Sequence, residues 1–544
     1  MKVKYFALSL LACVGMMSCS NNDDLAGDDG QKGDGVKSTS YLAVNIMNTG
    51  IVGTRANGYE AGSDAENAIK DIRFYLFDNM GAAYEVESGK SYVAPAYSKD
   101  DDAATSDNVE EIGEAVLLIN GTQPVAPASI VAVANGNNLA DKYSLSELRD
   151  VLASDYKNSE GNFTMSNSVY ADGSNEICAV SVDGHVASSS EAALANPVDI
   201  YIERMAAKVK VSFTGENWSE IDGKQAYLLS GTAGDDDAVY AQVQGWTLVN
   251  VPDKSFLVKD IDASWNDTSL GFSSSSPWTS ADYHRSFWAQ MPSSGVTFST
   301  SFTPSATTTA DKYTLENTSS SSKTKLLVYV KLVNKDGDAI SRYVYLGDAT
   351  SYSSESDVLT VMLSVFNSAQ GETYYIKTGT TAEATSYASL APANLKFVSG
   401  ASLNDAENSY RAYAQLNTPF ASAAEGEGEK LYKKNSTGEF EEVTLSEINT
   451  ALKSYTAQIW KDGACYYTAT IKHLGSESST AEYGIVRNHV YDMTVTEIGG
   501  YGTPIYDPTE EIVKPVTPSD DHSYLAARVN ILSWKVVSNN VTLQ

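Results

Sequence analysis

The sequence is poor in the residues that carry most metal, redox and acid–base chemistry. Its 544 residues include only 4 cysteines and 5 histidines, too few cysteines for a disulfide-stapled fold. The histidines show neither HExxH nor another metal-ligand spacing; they are His185, His284, His473, His489 and His522. GxSxG, P-loop and strand-to-helix GxGxxG motifs are also missing. We therefore expect no enzyme, no cofactor and no metal centre.

Basic residues are scarce as well. Lys and Arg total 38 against 69 Asp and Glu, which gives a net charge of −31. Nucleic-acid affinity depends on neutralising phosphates with basic side chains, so this balance excludes nucleic acid as a partner. Acidic clusters at 100–102 and 235–237 lack the ligand spacing of an EF-hand, and we interpret them as solvated loops rather than calcium sites.

Long apolar runs are absent after the N-terminus, where residues 1–19 form a secretory signal. Lys2 and Lys4 precede a short apolar stretch that ends in Ser18-Cys19, which is similar to a bacterial lipobox. That reading predicts cleavage before Cys19 and its modification with diacylglycerol and palmitate. The alternative is an ordinary signal with a chance cysteine. Residues 20–40 are polar and form a flexible tether. Of the remaining cysteines, Cys178 and Cys465 are interpreted as buried free thiols rather than a disulfide.

Hydrophobic alternation predicts strands through most of the chain. Leu42, Val44 and Ile46 share one face of an early strand. Further strands are predicted at 69–78, 115–120, 129–134, 199–213, 240–251, 325–331, 341–346, 358–366, 374–377, 455–460 and 464–471. Helices are predicted only from 144 and over 445–454. Short strands between polar turns indicate an all-β fold with Greek-key β-sandwiches and few short helices.

The C-terminal segment is unusual for a sandwich domain. Four prolines between 504 and 518 predict an extended arm, after which 526–543 alternates again. The apolar parity switches at Val536-Val537, which predicts a bulge or bend between two short strands. Such an exposed apolar strand needs a designated partner, or else it returns as an edge strand to its own domain. Periodicity alone leaves both possibilities open.

Several segments resemble a known family. The stretches 203–209, 484–491, 498–502 and 529–543 occur in the order found in the Mfa1/FimA fimbrillins of Bacteroidetes, shaft subunits of protease-assembled pili, with the nearest resemblance to the minor fimbrium type. The resemblance implies two transthyretin-like β-sandwich domains. It also implies division into 1–19 signal, 20–55 propeptide, 56–200 N-terminal domain, 201–502 C-terminal domain and 503–544 arm with donor strand. Arg204 and Lys208 are expected to pair with carboxylates, and Arg487-Asn488-His489 is expected to form a turn.

The family's assembly route can be transferred to this chain as an expectation. A lipidated precursor reaches the outer membrane, and an Arg-specific protease cuts between Arg55 and Ala56. The strand carrying Leu42, Val44 and Ile46 then leaves a groove, which another subunit's C-terminal strand fills. The implied donor residues are Val529, Ile531, Leu532, Trp534, Val536, Val537, Val541 and Leu543. The implied partners are further copies of the chain, anchor and tip subunits, the protease and surface receptors, in a fimbrium that supports adhesion, biofilm formation, colonisation and virulence.

A second function remains open. Trp278, Tyr283, Phe287 and Trp288 could form a sugar-stacking platform, although aromatic core residues at strand ends are the more common arrangement. With such a platform the chain would be a monomeric glycan-binding outer-membrane lipoprotein. The arm after Gly502 separates the two functions, because a monomeric binder has no need of it.

Overall fold

The computed structural model describes residues 38–48, 60, 62–99, 111–121, 126–168, 179–260, 289–347, 350–371, 373–377, 386–417, 430–473, 484–513, 524–533 and 536–538. Strands dominate these residues and form several sheets, so the expectation of an all-β, multi-domain fold is confirmed. None of the helices within these ranges is long and apolar enough to cross a membrane.

The described residues of the first domain form ten strands and three short helices. The strands are β1 (Ser38–Asn48), β2 (Ile72–Phe77), β3 (Tyr92–Val93), β4 (Ser98–Lys99), β5 (Glu111–Gly121), β6 (Ser129–Ala134), β7 (Leu152–Ala153), β8 (Met165–Asn167), β9 (Val180–Ser181) and β10 (Val198–Arg204). The helices are α1 (Asp64–Asn67), α2 (Leu145–Arg149) and α3 (Ser190–Leu194). Helix α2 begins where the sequence predicts a helix, and a capping box between Ser144 and Glu147 starts it.

Nine of these strands form one continuous sheet in the order β3-β2-β6-β8-β10-β1-β5-β4, with β9 paired to β6. Alternate side chains of the sheet converge on a single apolar core that includes Leu42, Phe74, Leu117 and Ile200. Because strands from both halves of the sheet contribute to this one core, the sheet is curled around it.

The second domain follows without a linker. The strands in its first part are β11 (Ala206–Phe213), β12 (Trp218–Ile221), β13 (Lys224–Ser230), β14 (Val239–Val249), β15 (Ser255–Phe256), β16 (Ser301–Phe302), β17 (Lys312–Leu315) and β18 (Lys325–Val333). Only Met205 separates β10 from β11, and these two strands belong to different sheets. The predicted strand at 199–213 is therefore two strands, which join the domains at this point.

Residues 334–463 are inserted between two neighbouring strands of the second domain. They contain β19 (Arg342–Tyr345), β20 (Thr350–Tyr352), α4 (Glu355–Gln370), β21 (Tyr374–Lys377), β22 (Tyr387–Ser389), β23 (Leu395–Ser399), β24 (Ala412–Leu416), β25 (Leu431–Lys434), β26 (Phe440–Val443), α5 (Leu445–Leu452) and β27 (Thr456–Trp460). Two small sheets, β20-β19-β27-β24-β23 and β22-β21-β25-β26, pack with α4 and α5 around a separate core. The insertion is thus a structural unit within the range 201–502.

The predicted strand at 358–366 is wrong, since this stretch lies inside α4. Its buried residues are Val358, Leu359, Met362, Leu363 and Phe366. Their spacing of one, three or four residues is the period of a helix face. The β-branched residues favoured a strand, but the burial of this face and the cap at Ser354 determine a helix.

The chain after the insertion completes the second domain with β28 (Ala464–Thr470), β29 (His489–Gly499), β30 (Thr503–Pro504), β31 (Ile512–Val513), β32 (Tyr524–Ser533) and β33 (Val536–Ser538). The sheets β17-β11-β29-β32-β33 and β12-β13-β14-β18-β28-β30 face each other across an apolar core. The first part of the expected arm belongs to this domain, because β30 pairs with β28 and β31 pairs with β16. Cys465 is a buried free thiol there.

Candidate functional site

Strand β1 lies in the interior of the first-domain sheet. It pairs antiparallel with β5 along its whole length, from Ser38 opposite Gly121 to Asn48 opposite Glu111. Its second half also pairs parallel with β10, from Val44 opposite Val198 onward. Before that point Tyr41 exchanges two backbone hydrogen bonds with Ala187, of 2.7 and 2.8 Å. An interior strand of the sheet is therefore supplied by the segment that precedes Arg55.

The inward side of β1 completes the first core. Leu42 and Val44 have no exposed area and pack with Leu117, Ala115 and Val198 from the two flanking strands. Ile46 continues the alternation opposite Ile200, but only its backbone position is described. If β1 left, the sheet would have an apolar groove bounded by two unpaired strand edges.

The outward side of β1 includes one fully buried position among the residues whose burial is described, Ala43. Ala43 points away from the core beside Val116 of β5, and yet it has no exposed area. Helix α3 packs against β1 and β5, and its Ala193 is also fully buried, from which we infer that this helix covers Ala43. One position further along the same face, Tyr41 is only half-buried and its partner Leu118 is 44% exposed.

The C-terminal segment forms the edge of a sheet in its own second domain. Strand β32 pairs antiparallel with β29, from His489 opposite Ser533 to Gly499 opposite Tyr524. The chain then reverses, so that Val536 of β33 lies opposite Leu532. The predicted bulge at the parity switch is therefore a hairpin reversal, which lets the apolar positions of the two short strands lie side by side.

The implied donor residues divide into two groups. Val529, Ile531 and Leu532 lie in β32, and Val536 and Val537 lie in β33, with only their backbone positions described. Trp534, Val541 and Leu543 lie outside the described residues, as do Cys19, Arg55 and Ala56. In this single chain the arm and the β1 groove belong to different domains.

A buried polar cluster joins the two domains beside the segment that follows Arg55. Arg204, at the end of β10, donates Nε to the Glu66 carbonyl at 2.8 Å and Nη1 to Asn488 Oδ1 at 2.9 Å. It also contacts the Asn67 side chain. Arg204 thus binds amide and carbonyl oxygens in these bonds, whereas Lys208 makes the expected carboxylate pair, with Glu66 at 3.2 Å.

The Glu66 carboxylate is held ionised inside this cluster. Burial raises its pKa, but hydrogen bonds from Tyr313 and Ser63, together with the Lys208 charge, outweigh burial and lower the pKa to about 2. The Tyr313 hydroxyl donates to Oε1 at 2.6 Å. Helix α1, which follows the proposed cut site, is therefore fastened to β11 and β17 by charge-assisted bonds.

Arg487 and Asn488, just before β29, make a second set of buried hydrogen bonds. Arg487 is fully buried and donates Nε and Nη2 to Glu316 Oε1 at 3.2 and 3.1 Å. Its Nη1 bonds the Leu257 carbonyl at 3.0 Å. Asn488 has a φ of 57° and donates its backbone N–H to the Ala206 carbonyl. The turn expected at Arg487-Asn488-His489 is present, and it positions β29 against the domain junction.

Sequence reasoning missed the packing of α3 on β1 and the clustering of Glu66 and Asn67 with Arg204. Long-range pairs such as Arg204 with Asn488 leave no local pattern. The signal for α3 was Ser189, which caps the helix and accepts from the Ala192 N–H. Among the described residues, no group of three or more His, Cys, Asp or Glu side chains could hold a metal ion.

Residues 40–226 match the family model of the major fimbrial subunit protein FimA. Residues 458–540 match that of the C-terminal part of fimbrillin, major fimbrial subunit protein type IV. The resemblance to the Mfa1/FimA-type fimbrillins is thereby confirmed. Both matches point to a non-enzymatic structural subunit of a cell-surface fimbria. No curated protein matches the sequence.

Solved structures match this chain at low identity, among them the following three. A cell adhesion protein from Bacteroides eggerthii is 10% identical, with 91% of this chain and 97% of that chain covered and a TM-score of 0.32. One from Parabacteroides distasonis is 9% identical, with 90% and 99% covered and a TM-score of 0.31. The tip fimbrial protein Mfa3 from Porphyromonas gingivalis is 11% identical, with 90% and 99% covered and a TM-score of 0.25. These TM-scores are too low for the similarities to bear on function.

Proposed function

We propose that this chain is a structural fimbrial subunit that polymerises by protease-triggered donor-strand exchange and supports adhesion, biofilm formation and colonisation. The precursor would be lipidated at Cys19 and cut between Arg55 and Ala56. The observation that carries the proposal is the interior position of β1, whose only downstream connection runs through 49–59.

Loss of β1 would destabilise the first domain unless another strand replaced it. The flanking strands β5 and β10 would lose their backbone partners, and unpaired backbone groups next to an apolar core are unfavourable. The apolar surface that Leu42 and Val44 now cover would be exposed to water. This exposure costs roughly 25 cal/mol of free energy per Å² of apolar surface. A new strand would restore both the hydrogen bonds and the burial by β-augmentation.

The C-terminal arm is suited to be that strand. In the single chain β32 pairs with β29 along its length but with β33 at only three positions, whereas the groove would offer a strand long neighbours on both sides. Because donor and groove lie in different domains, the contact between copies would be heterologous and would extend into an open fibre. Anchor and tip subunits and surface receptors would be the further partners.

The alternative of a monomeric glycan binder rests on Trp278 and Trp288. Both residues lie outside the described part of the chain, so the structure adds nothing in its favour. No second function is proposed.

The proposal can be tested with purified precursor, with a chain that lacks 529–544, and with the Arg55→Ala variant. Each would be mixed with an Arg-specific protease and followed by N-terminal sequencing, gel ladders and electron microscopy. We expect a new N-terminus at Ala56 in the wild type and in the truncated chain, and fibres only in the wild type. Long fibres from the truncated chain, or from uncut Arg55→Ala, would overturn the proposal.

A further inference from the structure

Two distant segments of this chain share a sequence that occurs nowhere else in it. Residues 40–43, near the start of β1, read Ser-Tyr-Leu-Ala, and residues 523–526, where β32 begins, read the same. β1 is an interior strand of the first domain, and β32 is the first strand of the C-terminal arm. The repeat therefore indicates that the arm can take the place of β1, in the same direction and at a defined position.

A second, shorter repeat offers a competing position. Residues 44–46 of β1 read Val-Asn-Ile, as do residues 529–531 of β32. The two alignments differ by two residues, so both keep the apolar alternation, and parity does not choose between them. They differ in where Arg528 falls, which is the place of Asn45 in the first alignment and the place of Ala43 in the second.

The burial of Ala43 excludes the second alignment. Ala43 lies opposite Val116 on the outward side of β1 and has no exposed area. A methyl group fills this place, and an arginine there would have to displace the surrounding atoms and bury its charge. The first alignment puts Ala526 in this place, so the side chain is unchanged.

The acidic neighbours of Asn45 favour the first alignment as well. Asn45 lies opposite Glu114 on β5 and opposite Asp199 on β10, and both of these acidic residues are exposed. Opposite charges on direct cross-strand partners attract each other. An arginine in the place of Asn45 therefore meets a carboxylate on each side, whereas β1 offers only a neutral amide there.

The stored arm already has the backbone conformation that the first alignment needs. Residues 524–531 lie in one continuous strand that pairs with β29. Its positions 525, 527 and 529 lie opposite residues of the second-domain core, and in the groove they would take the inward places of Leu42, Val44 and Ile46. One face of the strand thus serves both sites. Ala527 and Val529 are smaller than the residues they would replace, so the charged contact adds attraction where the apolar fit is looser.

We propose that residues 524–531 of one subunit take the places 41–48 of β1 in the next, with Arg528 between Glu114 and Asp199. The inference rests on the proposed function and adds the segment and the charged contact that fix the register of the donor strand. A one-residue slip would turn the apolar side chains outward. A two-residue slip in either direction would move Arg528 away from the acidic pair.

Cysteine pairs test the register directly. Because Ala43 lies opposite Val116, the proposal brings Ala526 of one subunit to Val116 of the next, at a separation that direct cross-strand partners share with disulfides. In a Cys178→Ser background, Val116→Cys with Ala526→Cys should give ladders of disulfide-linked subunits after cleavage. Val116→Cys with Arg528→Cys, the pair of the competing alignment, should give none. The precursor with Ala43→Cys and Val116→Cys is the positive control, and it should close an internal disulfide.

Charge variants test the contact with the acidic pair. Arg528→Glu should slow fibre extension by about tenfold or more, because three carboxylates would then lie side by side. The matched control Lys535→Glu makes the same change of charge beyond the place of β1, and it should alter the rate by less than about threefold.

A rescue variant separates this contact from a general effect on folding. Arg528→Glu combined with Glu114→Lys and Asp199→Lys restores opposite charges across both strand pairs, and it should recover most of the wild-type rate. Loss of a merely structural role of Arg528 would not be rescued in this way. Thermal melting of each uncut variant checks that the stored arm and both domains are folded.

The outcomes separate the two proposals. Fibres from a chain that lacks 521–544 would refute donor-strand exchange itself. If that truncation abolishes fibres, exchange stands and the variants decide the register. A ladder from the Arg528 pair, fibres without a ladder from the Ala526 pair, or normal extension of Arg528→Glu would each overturn the proposed register.

Discussion

Arg204 Nη1 lies 2.9 Å from Asn488 Oδ1, which links the last residue of the first-domain sheet to the turn before β29, 284 residues later. The same guanidinium donates a hydrogen bond from Nε to the backbone carbonyl oxygen of Glu66. One buried side chain therefore connects the end of the first domain, the start of the strand that carries the arm, and the segment next to the proposed cut site.

Replacing Arg204 with methionine should destabilise the whole chain. The Asn488 amide oxygen and the Glu66 carbonyl would remain buried without this donor, which costs about 3 kcal/mol. Chemical denaturation of Arg204→Met measures the loss. Lys430→Met is the control, because its pair with Glu442 is about half exposed on both sides and should cost less than about 1 kcal/mol. Equal effects of the two variants would contradict the role of Arg204.

Glu66 should make stability depend on acid pH. Its pKa in the folded chain, about 2, lies below the ordinary value of 4.5. The stabilisation is therefore fully present above about pH 4.5 and is lost as pH falls toward 2. Glu66→Gln should cost on the order of 2 kcal/mol at pH 7, a figure reduced for screening by water.

Unfolding curves of the wild type and Glu66→Gln between pH 2 and 7 check this dependence. The two stabilities should converge as the pH approaches 2. The control Glu85→Gln removes a partly exposed carboxylate whose pKa is lowered by hydrogen bonds from Lys142 and from the Gly89 N–H, and it should change the pH profile less than Glu66→Gln does. A constant difference between the wild type and Glu66→Gln at all pH values would contradict the assigned ionisation.

The sequence predicted strands wherever alternation was strong and local. β1 falls on such a segment. β6, β14, β18 and β28 also fall on predicted segments, but they are buried at nearly every residue, as expected for central strands with a high apolar content. The same reasoning failed at Val358 to Phe366. The β-branched residues of this stretch favour a strand, but the helical spacing of its buried apolar positions decides how α4 packs.

The site was predictable only in part for a related reason. The alternation of Leu42 and Val44 identified β1 as half-buried, but not its two neighbours. Pairing between β1 and β10 joins residues more than 150 positions apart, and no local pattern encodes it. The reversal between Leu532 and Val536 likewise left only a parity switch, which a bulge would also produce.

The proposed lipidation of Cys19 predicts how the protein reaches the cell surface. Cys19→Ala removes the thiol that the lipobox-like sequence presents for acylation. We expect much less fimbrial protein on intact cells, measured by surface labelling, together with unchanged melting of the purified soluble chain. Ser20→Ala, one residue away, is the control. Normal amounts of surface fibres from Cys19→Ala would contradict the lipoprotein route.

The last prediction is that the inward residues of β1 stabilise the precursor but not the mature chain. Leu42 is fully buried in the first core, and Leu42→Ala should destabilise the precursor by about 3 kcal/mol through lost burial and a residual cavity. Tyr41→Ala, on the half-buried outward face, should cost less.

After cleavage at Arg55 and exchange, β1 is no longer part of the subunit, so fibres from wild-type and Leu42→Ala precursors should have the same stability. Calorimetry of the uncut chains and of the assembled fibres separates the two states. Cleavage should also become faster in Leu42→Ala, because a weakened β1 opens the connecting segment to the protease more often. If the fibres retained the full destabilisation of the precursor, β1 would still be in place, and the groove could not have received a donor.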